Sequence, residues 1–216
     1  MLIAASADIH SPKYIRLFID SIRNLPVPDL FLLAGDLVLR GAAGAFDLIH
    51  EEVRQNWEDV PVVAAFGNEE FENTKRKLKR EFPDVIWLDD EQVQVKGIDI
   101  FGTTGVLDEP TAWQSKAVPG ITKIYENRME KIETFASKHP NSILLTHYAV
   151  GTYTIDPVPN PLQLTSEKLL QSLLDLPITV IHGHCHYAPQ WMYKEENLTI
   201  YNVALPLHRG IVLLNV

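Results

Sequence analysis

The feature that most restricts how this chain can fold is a repeated unit: a short apolar run, a small polar cluster, then a segment whose apolar residues recur with helical spacing. Leu2 to Ala7 is followed by Ile15, Phe18, Ile19 and Ile22 on one helix face. Leu30 to Ala34 precedes a helical pattern carrying Phe46, Ile49 and Val53, and Val62 to Phe66 precedes a basic helical stretch from Lys75 to Arg80. Such alternation predicts a parallel sheet flanked by helices.

From Val85 the spacing changes. Val85 to Leu88, Gln92 to Val95 and Ile98 to Phe101 read as short strands of a meander, with Lys96-Gly97 at a hairpin tip. Thr103 to Pro119, which contains Trp113, reads as a long loop. A helix over Thr122 to Lys138, a strand over Ser142 to Leu145 and a Pro-rich loop follow, then a helix from Ser166 to Leu174 with Ser166 as N-cap. Strands at Ile178 to Ile181, Gln190 to Tyr193, Thr199 to Val203 and Ile211 to Leu214 suit a second sheet closing on the first. The expected fold is α/β, two packed mixed β-sheets with helices outside both, in the layer order αββα. With 216 residues, 46% of them hydrophobic, the chain supplies one substantial core, and residues 1–216 are expected to form a single domain.

Charge and cysteine content narrow the function. There are 19 basic against 28 acidic side chains, a formal net charge of -9, which opposes adhesion to duplex nucleic acid or acidic lipid. The single cysteine, Cys185, rules out an intramolecular disulfide framework. A reducing cytoplasm is the expected setting. No apolar run reaches the roughly 18 residues that span a bilayer, and the N-terminus lacks signal-peptide character, so no membrane partner is expected.

The polar clusters carry the chemistry, because five of them sit at successive strand ends, the edge of an open α/β sheet where ligands bind. They are Asp8-Ile9-His10, Gly35-Asp36, Gly67-Asn68, Thr146-His147 and Gly183-His184-Cys185-His186. In extended chain, side chains at i and i+2 point the same way, so Asp8 and His10 are expected to converge on one ion. Glycine eases the turn at Gly35, where Asp36 would stand between two cations. A mixed carboxylate, amide and imidazole set suits Mn, Fe or Zn rather than Ca, and the Asn68 amide is a poor choice for a purely structural zinc site.

In this order, D-x-H, G-D, G-N-x-[D/E], H, G-H-x-H, the clusters from Asp8 to His186 resemble the calcineurin-like metallophosphoesterases. The resemblance implies a β-sandwich flanked by helices and two divalent metal ions. Asp8, His10 and His186 would hold one ion, Asn68, His147 and His184 the other, and Asp36 would bridge them. It also implies hydrolysis of a phosphate ester by a metal-bridging hydroxide, with a small phosphorylated or phosphodiester compound as substrate.

The third motif of that family usually reads G-N-H-[D/E]; here Glu69 stands at the histidine position, in Gly67-Asn68-Glu69-Glu70. In the family that histidine is assigned to stabilise the transition state or protonate the leaving oxygen, a role contributing about 10²- to 10⁴-fold. Glu69 is expected either to act as a protonated general acid or to swing away and leave the leaving group to water. An ionised Glu69 would cancel the roughly +1 charge of two ions, two carboxylates and a hydroxide. A diester carries one fewer negative charge than a monoester and is therefore favoured. Arg40, four residues after Asp36, resembles the arginine that forks onto substrate phosphate; a surface arginine beside a helix is the alternative. A scaffold that keeps the fold without the chemistry is the second functional reading.

Other candidates carry plainer expectations. His182 is expected to support the ligands rather than bind, although spacing alone also allows a His182 and His184 pair. Cys185 should be a small buried residue; His139, at a helix end before Pro140, His50 and Arg209 should be structural. The basic run from Lys75 to Arg80 reads as a solvated helix face. The Tyr148 to Thr165 loop, stiffened by Pro157, Pro159 and Pro161, is expected to line the substrate cleft, with Tyr148 or Tyr153 as a stacking face and Trp113 on the opposite wall.

Overall fold

The computed structural model describes residues 1–215. In chain order its main elements are β1 (Leu2–Ser6), α1 (Ile15–Ile22), β2 (Leu30–Ala34), α2 (Asp47–Asn56), β3 (Val62–Ala65), α3 (Glu72–Glu81), β4 (Ile86–Leu88), β5 (Glu91–Val95) and β6 (Ile98–Thr103). There follow α4 (Ala112–Ala117), α5 (Ile121–Lys138), β7 (Ser142–Thr146), β8 (Ala149–Val150), β9 (Thr165–Ser166), α6 (Glu167–Leu173) and β10 (Ile178–His182). β11 (Met192–Glu195), β12 (Leu198–Asn202), α7 (Leu205–His208) and β13 (Val212–Asn215) complete the chain.

Two large sheets form, in the orders β13-β1-β2-β3-β4 and β11-β12-β10-β7-β6-β5. The central strands of each are parallel, and the antiparallel pairs, β1 with β13, β5 with β6 and β11 with β12, lie at the edges. Side-chain alternation builds the layers. Leu30, Leu32 and Ala34 of β2 face Ile143 and Leu145 of β7 in the core between the sheets. Phe31 and Leu33 point the other way, onto Phe18 and Ile22 of α1 and onto Ile49, Val53 and Trp57. Leu144, Val180 and Ile200 meet Ile132 and Phe135 of α5 and Leu169 and Leu173 of α6. The layer order is helix, sheet, sheet, helix, as the alternating pattern predicts.

Three local expectations are corrected. The strands after Val85 are not one meander: β4 joins β3 in the first sheet, while β5 and β6 start the edge of the second. The chain crosses between sheets at Asp89 and Asp90, and Asp90 takes the left-handed conformation that a sharp corner requires, φ 59°. Likewise β13 does not extend the second sheet but returns to pair with β1. The supposed loop before Pro119 contains α4, closed by a capping box in which Thr111 Oγ1 accepts the Gln114 N–H and Gln114 Oε1 accepts the Thr111 N–H. The hairpin tip stands as expected: Lys96 and Gly97 both have positive φ, 50° and 85°, as a two-residue turn between right-twisted strands needs.

Candidate metal centre

All five polar clusters lie at the C-terminal ends of parallel strands β1, β2, β3, β7 and β10, and the two sheets bring them to one edge of the sandwich. The residues after β1 run alongside those after β2: the N–H groups of Asp8, His10 and Ser11 donate to the carbonyls of Gly35, Asp36 and Leu37 at 2.9 to 3.0 Å. Asp8, His10, Asp36 and His184 all sit in the left-handed region, with φ of 57°, 42°, 51° and 70°. Convergence of Asp8 and His10 therefore does not come from extended chain, as the i and i+2 spacing suggests, but from a tightly coiled corner. Non-glycine residues in that region are strained and cluster at functional sites.

Each carboxylate is held by one oxygen and offers the other. Asp8 Oδ2 accepts the His184 N–H at 2.7 Å, and Asp36 Oδ1 accepts the Glu69 N–H at 2.8 Å. Gly183 and Gly67 make these approaches possible, since an added Cβ would lie 2.4 Å from Asp8 Oδ2 and 2.2 Å from Asp36 Oδ1. The free oxygens point inward. Asp8 Oδ1 is 3.1 Å from His186 Nε2 and 3.7 Å from His10 Nε2; Asp36 Oδ2 is 4.0 Å from His10 Nε2 and 3.4 Å from His147 Nε2. His147 Nε2 is in turn 3.2 Å from both Asn68 Oδ1 and His184 Nδ1. Its ring is fixed from behind: Nδ1 lies 3.0 Å from the Ala34 carbonyl, which can only accept, so Nδ1 carries the proton and Nε2 faces the centre with its lone pair.

Donor atoms about 3.1 to 3.4 Å apart are what four bonds of roughly 2.0 to 2.2 Å around one ion produce. Asp8, His10 and His186 form one such group, and Asp36, His147 and His184 a second. Asp8 Oδ1 is buried without a hydrogen-bond partner, a state that buried polar atoms seldom keep unless something else satisfies them. The residues present therefore fit a pair of cations, with Asp36 Oδ2 between the two groups. A third group joins His10, Asp36 and Glu69, whose Oε2 is 3.9 Å from His10 Nδ1 and accepts the backbone N–H of Arg40. The Arg40 side chain is exposed, and its backbone is left-handed with φ 47°.

The electrostatics follow from burial and proximity. Burial opposes the charged form of Asp36, yet without an ion between them His147 holds its carboxyl well below the ordinary value; for Asp8, burial is outweighed in the same way by His186 and His147. His147 is pushed up to about 10 because Asp36 more than offsets burial, whereas His184 is pushed down to about 3 by burial and by the charge of His147. Two imidazoles 3.2 Å apart cannot both take a proton.

The clearest residue that the sequence pattern left without a role is Glu70. It is 2% exposed, and its carboxylate accepts four backbone N–H groups, those of Asp36, Leu37, Val38 and Gly67, at 2.7 to 3.1 Å. It locks the turn after β2 to the turn after β3. Burial and then the Asp36 charge push its carboxyl up to about 7 against those donors. Asn202 does similar work on the far side, donating to the carbonyls of Thr154 and Cys185 and accepting from the Ala204 N–H. Asp156 accepts the N–H groups of His186 and Tyr187.

His182 turns away from the centre, bonding Thr154 Oγ1 and the Gly183 carbonyl at 2.8 Å, and burial pushes it down to about 4. Cys185 is fully buried, its thiol pushed up to about 12 by burial. His50 pairs with Asp84, and His139 stacks on Phe135. The lysines of the basic run in α3 pair with carboxylates, Lys75 with Asp89, Lys79 with Glu91 and Lys77 with Glu81. Tyr148 is not a stacking face: it is 4% exposed, with its hydroxyl accepting from Gln114 Nε2 at 2.7 Å. A surface groove of about 970 Å³ between β5 and α5 lies away from the strand ends that carry the ligands.

The sequence matches the model of the calcineurin-like phosphoesterases over residues 1–188. The chain belongs to that family. Among solved structures, a dimetal phosphatase from Danio rerio is similar with a TM-score of 0.58 and 12% identity, covering 94% of this chain and 86% of that one. A protein of Thermus thermophilus is similar with a TM-score of 0.56 and 14% identity, covering 99% and 98%. At these identities the likeness is one of fold, two mixed sheets flanked by helices. No curated protein matches the sequence. Among the described residues no helix is long and apolar enough to cross a membrane.

Proposed function

We propose that this member of the family hydrolyses phosphodiesters in preference to monoesters, at a pair of Mn, Fe or Zn ions. Asp8, His10 and His186 would hold one ion, Asn68, His147 and His184 the other, and Asp36 would contribute to both. The observation that carries this reading is the pair of adjacent donor groups, with Asp36 Oδ2 3.4 Å from His147 Nε2 in one and 4.0 Å from His10 Nε2 in the other, and Asp8 Oδ1 buried and left without a hydrogen bond. Such a pair activates water as the nucleophile and neutralises charge that develops on the phosphoryl oxygens. The protein's part is positioning. Glu70 and the glycines keep the two turns in contact, the Ala34 carbonyl sets the His147 tautomer, and the Asp8 and Asp36 oxygens are pre-aimed, so little reorganisation is left for the reaction.

The diester preference rests on Glu69. A partly exposed carboxylate 3.9 Å from His10 stands beside a candidate ligand, and in its ionised form it would repel a dianionic monoester more than a monoanionic diester. With Oε2 occupied by the Arg40 N–H, Oε1 is the oxygen left to face the leaving group. Arg40, exposed at the same rim, forks onto a non-bridging phosphate oxygen.

Metal analysis combined with turnover of a generic monoester and a generic diester, across Mn, Fe and Zn loading, tests the reading. The expected result is metal uptake with diester kcat/KM above monoester. Uptake of metal with no turnover of either supports the scaffold reading, which Glu69 in the histidine position favours. A pH–rate profile unchanged in Glu69→Gln removes Glu69 from the mechanism, and an unchanged KM in Arg40→Ala removes Arg40.

A further inference from the structure

A groove of about 570 Å³ starts at Asn68 and runs between α3 and the α4–α5 pair, and a smaller hollow of about 140 Å³ touches both Asn68 and His184. Trp113, Gln114 and Tyr148 line both, so the two are continuous with the metal centre. Their walls are unusual for a protein surface. Phe71, Trp113 and Ile124, each lining the larger groove, are 48%, 58% and 38% exposed, and clustered exposed apolar side chains mark binding surfaces.

The groove does not favour a second anion, since four carboxylates, Glu70, Glu72, Asp89 and Asp90, line it beside three cations. Of those cations, Lys75 is bonded to Asp89 at 2.9 Å, and Arg128 to Asp90 at 2.7 Å and to the Gly105 carbonyl at 2.7 Å. Lys131, the third, lies exposed on α5. The apolar wall is also anchored: Gln114 caps α4 and donates to the Tyr148 hydroxyl, and Tyr148 follows His147 in the chain. Trp113 is thereby held at a fixed place relative to the centre rather than on a loose loop.

We propose that this groove is a subsite for an uncharged, apolar group of the substrate, so that the ester cleaved joins phosphate to an aromatic or aliphatic alcohol of some bulk rather than to a sugar phosphate or polyphosphate. The inference rests on the phosphoesterase reading. Trp113 and Ile124 are its specificity-determining residues, and Gln114 is a positioning residue that acts through α4.

Calorimetric binding of methyl-, phenyl- and octylphosphonate to Mn-loaded protein tests it without turnover. Phenylphosphonate, octylphosphonate or both should bind about tenfold more tightly than methylphosphonate. A gain confined to phenyl marks a flat aromatic group and a gain confined to octyl an acyl-like chain. In Trp113→Ala and in Ile124→Lys the preference should shrink to about twofold or less; both residues are exposed, so either variant tests the groove if the other folds poorly. Equal binding of the three phosphonates, or a preference that survives both substitutions, overturns the subsite alone. Failure of all three phosphonates to bind, together with no turnover of the generic diester, strikes the phosphoesterase reading and the subsite with it; failure to bind with diester turnover intact overturns the subsite alone.

Discussion

The two sides of the active cleft are built on different principles. Around the candidate ligands, backbone is tied to buried carboxylates: Glu70 takes four N–H groups, and Asp8 and Asp36 take one each. The far wall, α4, exposes Trp113 and is tied to the residue after His147 by one side-chain bond, Gln114 to Tyr148. The contrast teaches a division of labour. The part that carries the candidate ligands is over-determined, and the part that would meet the variable end of a substrate is not, so changes on the two sides should register in different measurements.

The largest effect should come from Asp36→Asn. It keeps an acceptor for the Glu69 N–H but removes the charge facing His10 and His147, and it should lower kcat/KM by at least about 10³-fold with loss of bound metal by elemental analysis. Next is Glu70→Gln, which presents an NH2 to donors that need acceptors. Unfolding free energy by denaturant titration should fall by about 2–4 kcal/mol, and metal affinity by roughly 10- to 100-fold. An unaltered metal affinity would separate the lock from the ligands. On the far wall, Tyr148→Phe removes the acceptor for Gln114. Stability should drop by about 1 kcal/mol, and discrimination between bulky and small esters by a few-fold in KM.

The smallest effect lies outside the cleft, at Asp84. Burial works against its charge, but bonds from His50 and Arg54 hold its pKa below the ordinary value. A lowered folded-state pKa means stability that is present above the unfolded value, about 3.9, and lost as pH falls through the folded one. Asp84→Asn should therefore flatten the acid limb of the stability profile by less than about 1 kcal/mol, and added salt should shrink the difference, because Asp84 is largely solvated.

What could be read from the sequence follows from how local each signal is. The strand-end clusters are contiguous, so their order survives in the sequence, and parallel alternation predicts that they share an edge. Which sheet a strand joins is not local: β4 and β13 are as apolar as their neighbours, and only the corner at Asp90 and the pairing of Leu2 with Asn215 decide their place. The helix α4 was legible through Thr111 and Gln114, a capping box three residues apart, but its short apolar content masked it. That Glu70 rather than Glu69 turns inward could not be read from two adjacent glutamates. The outcome depends on four N–H groups presented by turns 33 and 3 residues away. Asn202 was hidden for the same reason, since its partners are carbonyls of residues 154 and 185.

The coiled corners at Asp8, His10, Asp36 and His184 carry one more implication, for how such a chain drifts over generations. Outside glycine, the residue types that enter positive φ most readily are Asn, Asp and His, and these are also the side chains that offer oxygen or nitrogen to an ion. Two independent filters, the shape of the main chain and its electron-pair donors, thus admit nearly the same short alphabet. A descendant that abandoned its ions would still be drawn towards that alphabet, or towards glycine, at these places, so part of its sequence would go on looking like an enzyme after it had ceased to be one.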